Sequence, residues 1–298
     1  MKNKVAVLLS TYNGEKYLEE QLNSLIKQKD VDITIIIRDD GSNDNTIKII
    51  KKYTKKYNFI KFYTGKNKGY AKSFFDLIYN SKNYGEFDYY SFCDQDDIWE
   101  SNKLIQAIKK LEEYKNIPAL YTSKVISVNY EMNVISDNTF NTSRVLNQYE
   151  SFQKSIIPGC VFVFNNKSKE IIEKYDGYME SHDWVVYNVV NVFGKIIYDN
   201  NSYIRYRIHQ DNTIGKQNKI KTLLIKIKRF FSKSKCTRSN FAKDFYETYS
   251  NEIVDEYLKT NIKYLAYYKE NITYKIKLLL NRNFKGFIFK LYILLNRI

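Results

Sequence analysis

Two carboxylates one residue apart, Asp94-Gln95-Asp96, follow directly on the apolar run Asp88-Tyr89-Tyr90-Ser91-Phe92-Cys93. Residues i and i+2 of a strand share a face, and in a turn just past it their oxygens can converge on one divalent cation, a hard ion that takes oxygen ligands. The plainer reading is an acidic turn capping a helix over Trp99 to Leu111, since Asp and Ser favour such positions. A second cluster, Asp39-Asp40-Gly41-Ser42-Asn43-Asp44-Asn45-Thr46, suits a loop entering a helix N-cap. Beside Thr11-Tyr12-Asn13 it also makes a pocket of acceptors and backbone donors able to read the edge of a nucleobase. Asp183 opens a helical pattern, a place the macrodipole favours for a carboxylate. His209, one of two histidines, follows Tyr206-Arg207 at a strand end.

The elements that must position these groups are short apolar runs alternating with helical spacing. Val5 to Ser10, Ile33 to Ile37, Phe59 to Tyr63 and Asp88 to Phe92 read as strands. Helical patterns start near Glu15, Asp44, Tyr70 and Glu100. The strand runs do not alternate with polar residues, which predicts a parallel sheet buried on both faces, whose ligands bind at the carboxyl ends of the strands. The clusters after the first, second and fourth strands then crowd one edge. Beyond Pro118, Leu120 to Val128, Cys160 to Phe164, Lys195 to Asp199 and Tyr203 to Ile208 read as strands, with helices over Lys167 to Tyr175 and His182 to Phe193.

The succession Ser10-Thr11-Tyr12-Asn13-Gly14, Arg38-Asp39-Asp40-Gly41-Ser42, Asn67-Lys68-Gly69, Asp94-Gln95-Asp96-Asp97, His182-Asp183-Trp184 and Tyr206-Arg207-Ile208-His209 resembles the family 2 glycosyltransferases, which have the GT-A fold. Six short motifs in the family's order, from about Lys4 to Gly215, carry the resemblance. It implies that Thr11, Tyr12, Asn13, Asp39 and Asp40 hold the base and ribose of a nucleoside diphosphate sugar. It places Asn67 and Lys72 near the ribose and diphosphate, and sets Asp94 toward the ribose or metal. Asp96 would coordinate Mg²⁺ or Mn²⁺, with His209 approaching the same metal, and Arg207 would steady the departing diphosphate. Asp183 matches the general base, which takes the acceptor's proton while its oxygen attacks the anomeric carbon with inversion. Pro158-Gly159-Cys160 resembles the turn before the acceptor-side strand, and Trp99 and Trp184 suit either sugar stacking or core packing. The strings Cys-Asp-Gln-Asp-Asp-Ile-Trp, His-Asp-Trp and Tyr-Arg-x-His-x-x-Asn-Thr look most like the rhamnosyltransferase-type branch of bacterial capsule and O-antigen assembly.

The chain of 298 residues, 44% hydrophobic and 16% aromatic, can bury a large core, which excludes disorder, collagen-like sequence and coiled coil. Cys93, Cys160 and Cys236 are odd in number and far apart, so a reducing compartment and no disulfide framework are expected. Met1 to Lys4 run straight into Val5-Ala6-Val7-Leu8-Leu9, too short for a secretory leader, and no apolar stretch is long enough to span a membrane. Charge is uneven: residues 216–298 hold 19 Lys/Arg against 6 Asp/Glu, whereas residues 1–215 hold 29 against 27. The near-neutral front argues against a nucleic-acid-binding core. In the tail, Ile220, Leu223, Leu224, Ile227, Phe230 and Phe231 form one apolar stripe beside Lys219, Lys221, Lys226, Lys228 and Arg229, which suits either anionic lipid headgroups or packing on the domain. Phe284 to Ile298 repeats the apolar and basic character over a length too short to span a bilayer.

These readings predict an α/β domain over residues 1–215, with a mostly parallel mixed sheet of GT-A type between helices, and a basic helical tail over 216–298. The expected activity is inverting, metal-dependent glycosyl transfer from a nucleoside diphosphate sugar to a glycan acceptor carried on lipid, at the cytoplasmic face of a membrane. A non-catalytic nucleotide-sugar-binding protein, or one engaging membrane or nucleic acid through its tail, is the alternative; the intact Asp94, Asp96 and Asp183 favour the enzyme.

Overall fold

A computed structural model describes residues 2–137, 140, 144–154, 157–209 and 237–298. The first half runs β1 (Lys4–Thr11), α1 (Leu18–Ile26), β2 (Asp32–Asp39), α2 (Thr46–Lys56), β3 (Ile60–Thr64), α3 (Tyr70–Asn80), β4 (Tyr89–Cys93), β5 (Ile98–Trp99), α4 (Lys103–Leu111), β6 (Ala119–Ser123), β7 (Ile126–Val128) and β8 (Val134–Ser136). Then follow α5 (Gln148–Gln153), β9 (Val163–Asn165), α6 (Asn166–Ile172), α7 (His182–Phe193), β10 (Lys195–Asp199) and β11 (Ile204–Arg207). The last four helices are α8 (Thr237–Tyr249), α9 (Glu256–Tyr267), α10 (Ile272–Leu280) and α11 (Phe287–Leu294).

Seven strands form the main sheet in the order β10-β6-β9-β4-β1-β2-β3. Val5, Ala6, Val7, Leu8 and Leu9 of β1 and Ile35, Ile36 and Ile37 of β2 have no exposed surface, as expected of strands covered on both faces. All neighbours run parallel except β9, which lies antiparallel between β4 and β6. The mixed α/β class expected from the sequence is therefore observed.

The structure departs from the sequence expectation in three places, two of them past Pro118. Leu120 to Val128 is two strands: Lys124 N–H bonds Asp199 O at 2.9 Å, and Ile126 N–H bonds Ser202 Oγ at 3.2 Å, so the chain leaves the main sheet between them. β7 joins a second sheet, ordered β5-β11-β7-β8. Cys160 to Phe164 begins as a tight turn, closed by Phe162 N–H on Gly159 O at 2.8 Å, and only then becomes β9. Trp99, expected to start a helix, pairs in β5 with Ile204 of β11, and α4 begins at Lys103. That separation takes the acidic turn away from the helix it would have capped.

Two compact units divide the chain: Met1–Val145, Ile156–Glu173 and Ser181–His209 form the first; Leu146–Ser155, Lys174–Glu180 and Gln210–Ile298 the second. The second unit thus takes in two segments that lie upstream of the basic tail. Its core includes Phe152 against Phe245 with ring centroids 5.1 Å apart, and Tyr178 N–H bonds Asp244 Oδ2 at 2.6 Å. The expected boundary at 215 and the stripe from Ile220 to Phe231 lie outside the described residues. Among the described residues no helix is long and apolar enough to cross a membrane.

Candidate active site

Because β1 pairs in parallel with both β2 and β4, the segments after Thr11, Asp39 and Cys93 leave the sheet along one edge. They are laced together. Thr11 Oγ1 donates to Asp39 Oδ2 at 3.0 Å. Asn13 N–H reaches Ser42 Oγ, and Asn43 N–H returns to Asn13 Oδ1, both at 2.9 Å. Tyr12 donates its N–H to Gln95 Oε1 at 2.9 Å and accepts from Gln95 Nε2 at 3.0 Å, which ties the first loop to the acidic turn.

Within this edge the carboxylates differ in how far the protein satisfies them. Asp39 is fully buried and accepts from Thr11 Oγ1, Gly41 N, Ser42 N and Ser42 Oγ, which fills about all the lone pairs a carboxylate offers. Asp40 is paired with buried Arg38 and accepts from the N–H groups of Lys68 at 2.8 Å and Gly69 at 2.9 Å. Asn67 Oδ1 accepts from Gly69 N–H at 3.1 Å. The side chains of Thr11, Asp39 and Asp40 are buried and shape loops; Tyr12, Asn13, Asn67 and, in the first turn of α3, Lys72 are among the exposed residues on this side.

The acidic turn is braced from β11. His209 Nε2 lies 2.8 Å from Asp96 Oδ2, and its ring packs 4.9 Å from that of Tyr17. Arg207, which the resemblance sets near the diphosphate, has a side chain 2% exposed and engaged by protein groups. It donates to Asp96 O at 3.0 Å and to Tyr130 O at 3.1 Å, pairs with Glu20, and lies over the Tyr17 ring at 4.6 Å. These contacts tie it to the acidic turn and to α1. Arg207 N–H also donates to Asp97 Oδ1 at 3.1 Å.

Asp94 lies within electrostatic reach of Asp96 and Asp183; burial first, then those two charges, push its pKa up to about 7. Burial, reinforced by Asp96 and Asp94, also holds Asp97 well above the usual carboxylate range. Oxygens of Asp94 and Asp97 and the Cys160 sulfur lie within 4.8 Å of one another. Lys103 is buried beside this group, its ammonium 3.2 Å from Ser91 Oγ and 3.4 Å from the centroid of Trp99, and burial lowers its pKa to about 8. Trp99 and Trp184 are themselves buried, which decides for packing over sugar stacking.

Across from the turn, α7 presents Asp183 in its first turn, with Oδ1 accepting from Trp184 N–H at 2.7 Å. His182, one residue earlier, is 5% exposed, stacked on Phe74 at 4.0 Å and edge-on to Phe92 at 4.8 Å. Neither ring nitrogen has a hydrogen-bond partner among the described residues, and burial lowers its pKa to about 4. Gly159 makes this packing feasible: a Cβ there would lie 2.4 Å from His182 Nε2 and 3.3 Å from the Asp183 Cβ.

The family model described as glycosyl transferase family 2 matches residues 6–175. The chain belongs to this family. It is 34% identical over 218 residues to the dTDP-rhamnosyl transferase RfbG of Shigella flexneri, covering 70% of this chain and 73% of that one. A cholesterol galactosyltransferase of Borreliella burgdorferi is 34% identical over 105 residues, covering 35% of this chain and 28% of that protein. The crystal structure of residues 1–349 of S. aureus TarS in complex with UDP-GlcNAc superposes with a TM-score of 0.60 at 19% identity, covering 95% of this chain and 77% of that one. The likeness supports the GT-A-type architecture, and family 2 membership makes the chain an enzyme that transfers a glycosyl group from a nucleotide sugar.

For a family 2 enzyme, the chemistry of the donor set decides whether a divalent cation fits. Asp94 and Asp96 offer hard oxygen ligands, and a cation at this position would offset both the burial and the like charge that raise Asp94. The residues present therefore suit Mg²⁺ or Mn²⁺. Sequence reasoning did not single out Lys103, Asp97, His182 or Glu20 as separate contributors. Their importance comes from burial and from partners far away in sequence, signals that no local motif carries.

Proposed function

We propose that the protein is an inverting, metal-dependent glycosyltransferase that moves rhamnose or a related sugar from a nucleoside diphosphate donor to a hydroxyl of a lipid-linked glycan in capsule or O-antigen synthesis. The observation that carries the chemistry is the acidic turn at the carboxyl end of β4, where His209 Nε2 lies 2.8 Å from Asp96 Oδ2 and Asp94, raised first by burial, also feels the charges of Asp96 and Asp183. The similarity to the Shigella flexneri rhamnosyl transferase, over most of both chains, supports the donor class.

Tyr12 and Asn13, with the backbone of the loops they lace together, hold the nucleotide, while Lys72 offers a charge to its phosphates. Asp94 and Asp96 hold the metal, with His209 steadying Asp96 from behind. When bound, the cation supplies positive charge against the diphosphate leaving group. Asp183 accepts the proton of the acceptor hydroxyl as its oxygen attacks the anomeric carbon; one carboxylate oxygen is fixed by Trp184 N–H, and the other is free of hydrogen bonds among the described residues. A single displacement from the face opposite the diphosphate inverts the anomeric centre.

The test is turnover of a panel of dTDP-, UDP- and GDP-linked sugars by purified protein, with Mn²⁺ and with a chelator. Metal-dependent release of one nucleoside diphosphate, lost in Asp183→Asn, is expected. A nucleotide sugar that binds and raises the melting temperature but is never turned over would instead favour a binding protein.

A further inference from the structure

We propose that α10 and α11 of the second unit form a docking face for an anionic lipid surface. Soluble proteins seldom leave contiguous apolar area exposed without a use for it. Along α10, Ile272, Ile276 and Leu280 recur every four residues on one face and are 69%, 49% and 74% exposed. α11 adds Phe287 and Ile288, 81% and 65% exposed, and Leu294, 54% exposed, seven residues after Phe287. The two helices are clamped to each other by Lys275 Nζ, which donates to Leu294 O at 2.8 Å and to Asn296 Oδ1 at 3.0 Å. Their other sides are anchored: Leu278, Phe289 and Ile293 are buried, so the apolar positions facing outward are left over once the unit's own core is complete.

Charge selects the occupant. From Asn271 to Ile298 the sequence holds six basic residues and no acidic one. Lys277, Arg282 and Lys285 are exposed beside the apolar positions. A second copy of the chain joined across a two-fold axis would set this positive surface against itself, which is unfavourable. A leaflet of anionic headgroups over hydrocarbon matches both features, with apolar side chains dipping below the headgroups while the lysines and arginines meet them. The face rests on exposure and charge alone. Only its consequence, holding the enzyme beside a membrane-borne acceptor, rests on the function proposed above.

The test uses the full chain and vesicles of phosphatidylglycerol mixed with phosphatidylcholine, with pure phosphatidylcholine vesicles beside them. Co-sedimentation should be seen with the anionic vesicles, and should weaken as salt rises. Phe287→Ser combined with Ile288→Ser should lower vesicle binding at least about tenfold, and Lys277→Gln with Arg282→Gln and Lys285→Gln should lower it by a similar factor. Both sets change exposed positions, so melting temperature and nucleotide-sugar hydrolysis should stay at the parent's values. Hydrolysis is read separately from sedimentation, so failure of the catalytic reading is distinct from failure of this one. Three results overturn the proposal: a parent that ignores anionic vesicles, serine variants that bind them as the parent does, or a dimer in light scattering that the serine substitutions dissociate.

Discussion

The loops after β1 and β2 and the ground between β4 and α7 lie in the same unit, yet treat buried polar groups in opposite ways. In the first region, Asp39 and Asp40 are met by hydroxyls, backbone N–H groups and Arg38. In the second, among the described residues, Asp97 Oδ2 has no hydrogen-bond partner of normal geometry and neither His182 nitrogen has one, while Asp94 is buried and faces like charge. A saturated carboxylate fixes the shape of a loop. An unsatisfied one keeps an unmet interaction for a ligand, at a cost the fold bears elsewhere. Substitutions of the saturated carboxylates in the first region should therefore register as stability, and those of the unsatisfied groups in the second as turnover or pH response.

The sharpest separation should come from Asp96→Asn, which is expected to abolish Mn²⁺-stimulated turnover while leaving the melting temperature near that of the parent. Equal rates for variant and parent, with and without chelator, would remove Asp96 from the metal site. Asp183→Asn keeps size and shape but cannot take a proton. Single-turnover measurements should show the chemical step slowed by roughly 10² to 10⁴, as is typical for a lost general base, with donor affinity retained. Loss of donor affinity at an unchanged rate would move Asp183 to the donor side.

His182 allows a pH test. Its folded pKa of about 4 lies below the ordinary 6.5, so between those values the unfolded chain binds a proton that the folded chain refuses. Stability from this group is fully present above pH 6.5 and is lost as pH falls toward 4, by about 3 kcal/mol in all. Thermal melts of His182→Leu across that window should have a shallower acid limb than the parent; parallel curves would mean that the imidazole finds a partner or takes up its proton in the folded state. In the saturated region, Asp39→Asn removes acceptor capacity for two of four donors. A loss of about 1–3 kcal/mol in denaturant unfolding, with turnover per folded molecule little changed, is the expected outcome.

Much of this organisation was legible in the sequence. The apolar runs at Val5, Ile33 and Tyr89 are long and unbroken, so their strands emerge nearly as read, and His182 to Phe193 is a helix over just that span. The motif order also placed Asp39, Asp94 and Asp183 in one unit. Local pattern gave no sign that β5 has only two residues, because so short a strand exists through its pairing with β11, more than 100 residues downstream. Nor could Arg207 be seen as a brace: its partners Glu20, Asp96 and Tyr130 come from three separate stretches of chain. Spacing shows which residue types are available; burial decides which of them are free to meet a substrate.

Residues Asp94 to Asp97 are the whole connection between β4 in the main sheet and β5 in the smaller one. Both ends of that connection are pinned by strand pairing, Cys93 to Leu9 and Trp99 to Ile204, so its length is a fixed quantity. One residue inserted or removed there would slip β5 by a full step against β11, reversing which side chains face inward and drawing Asp97 off the Arg207 N–H. The stretch can accept changes of side chain, but it has no slack for a change in residue number, and insertions and deletions in such enzymes should accumulate elsewhere.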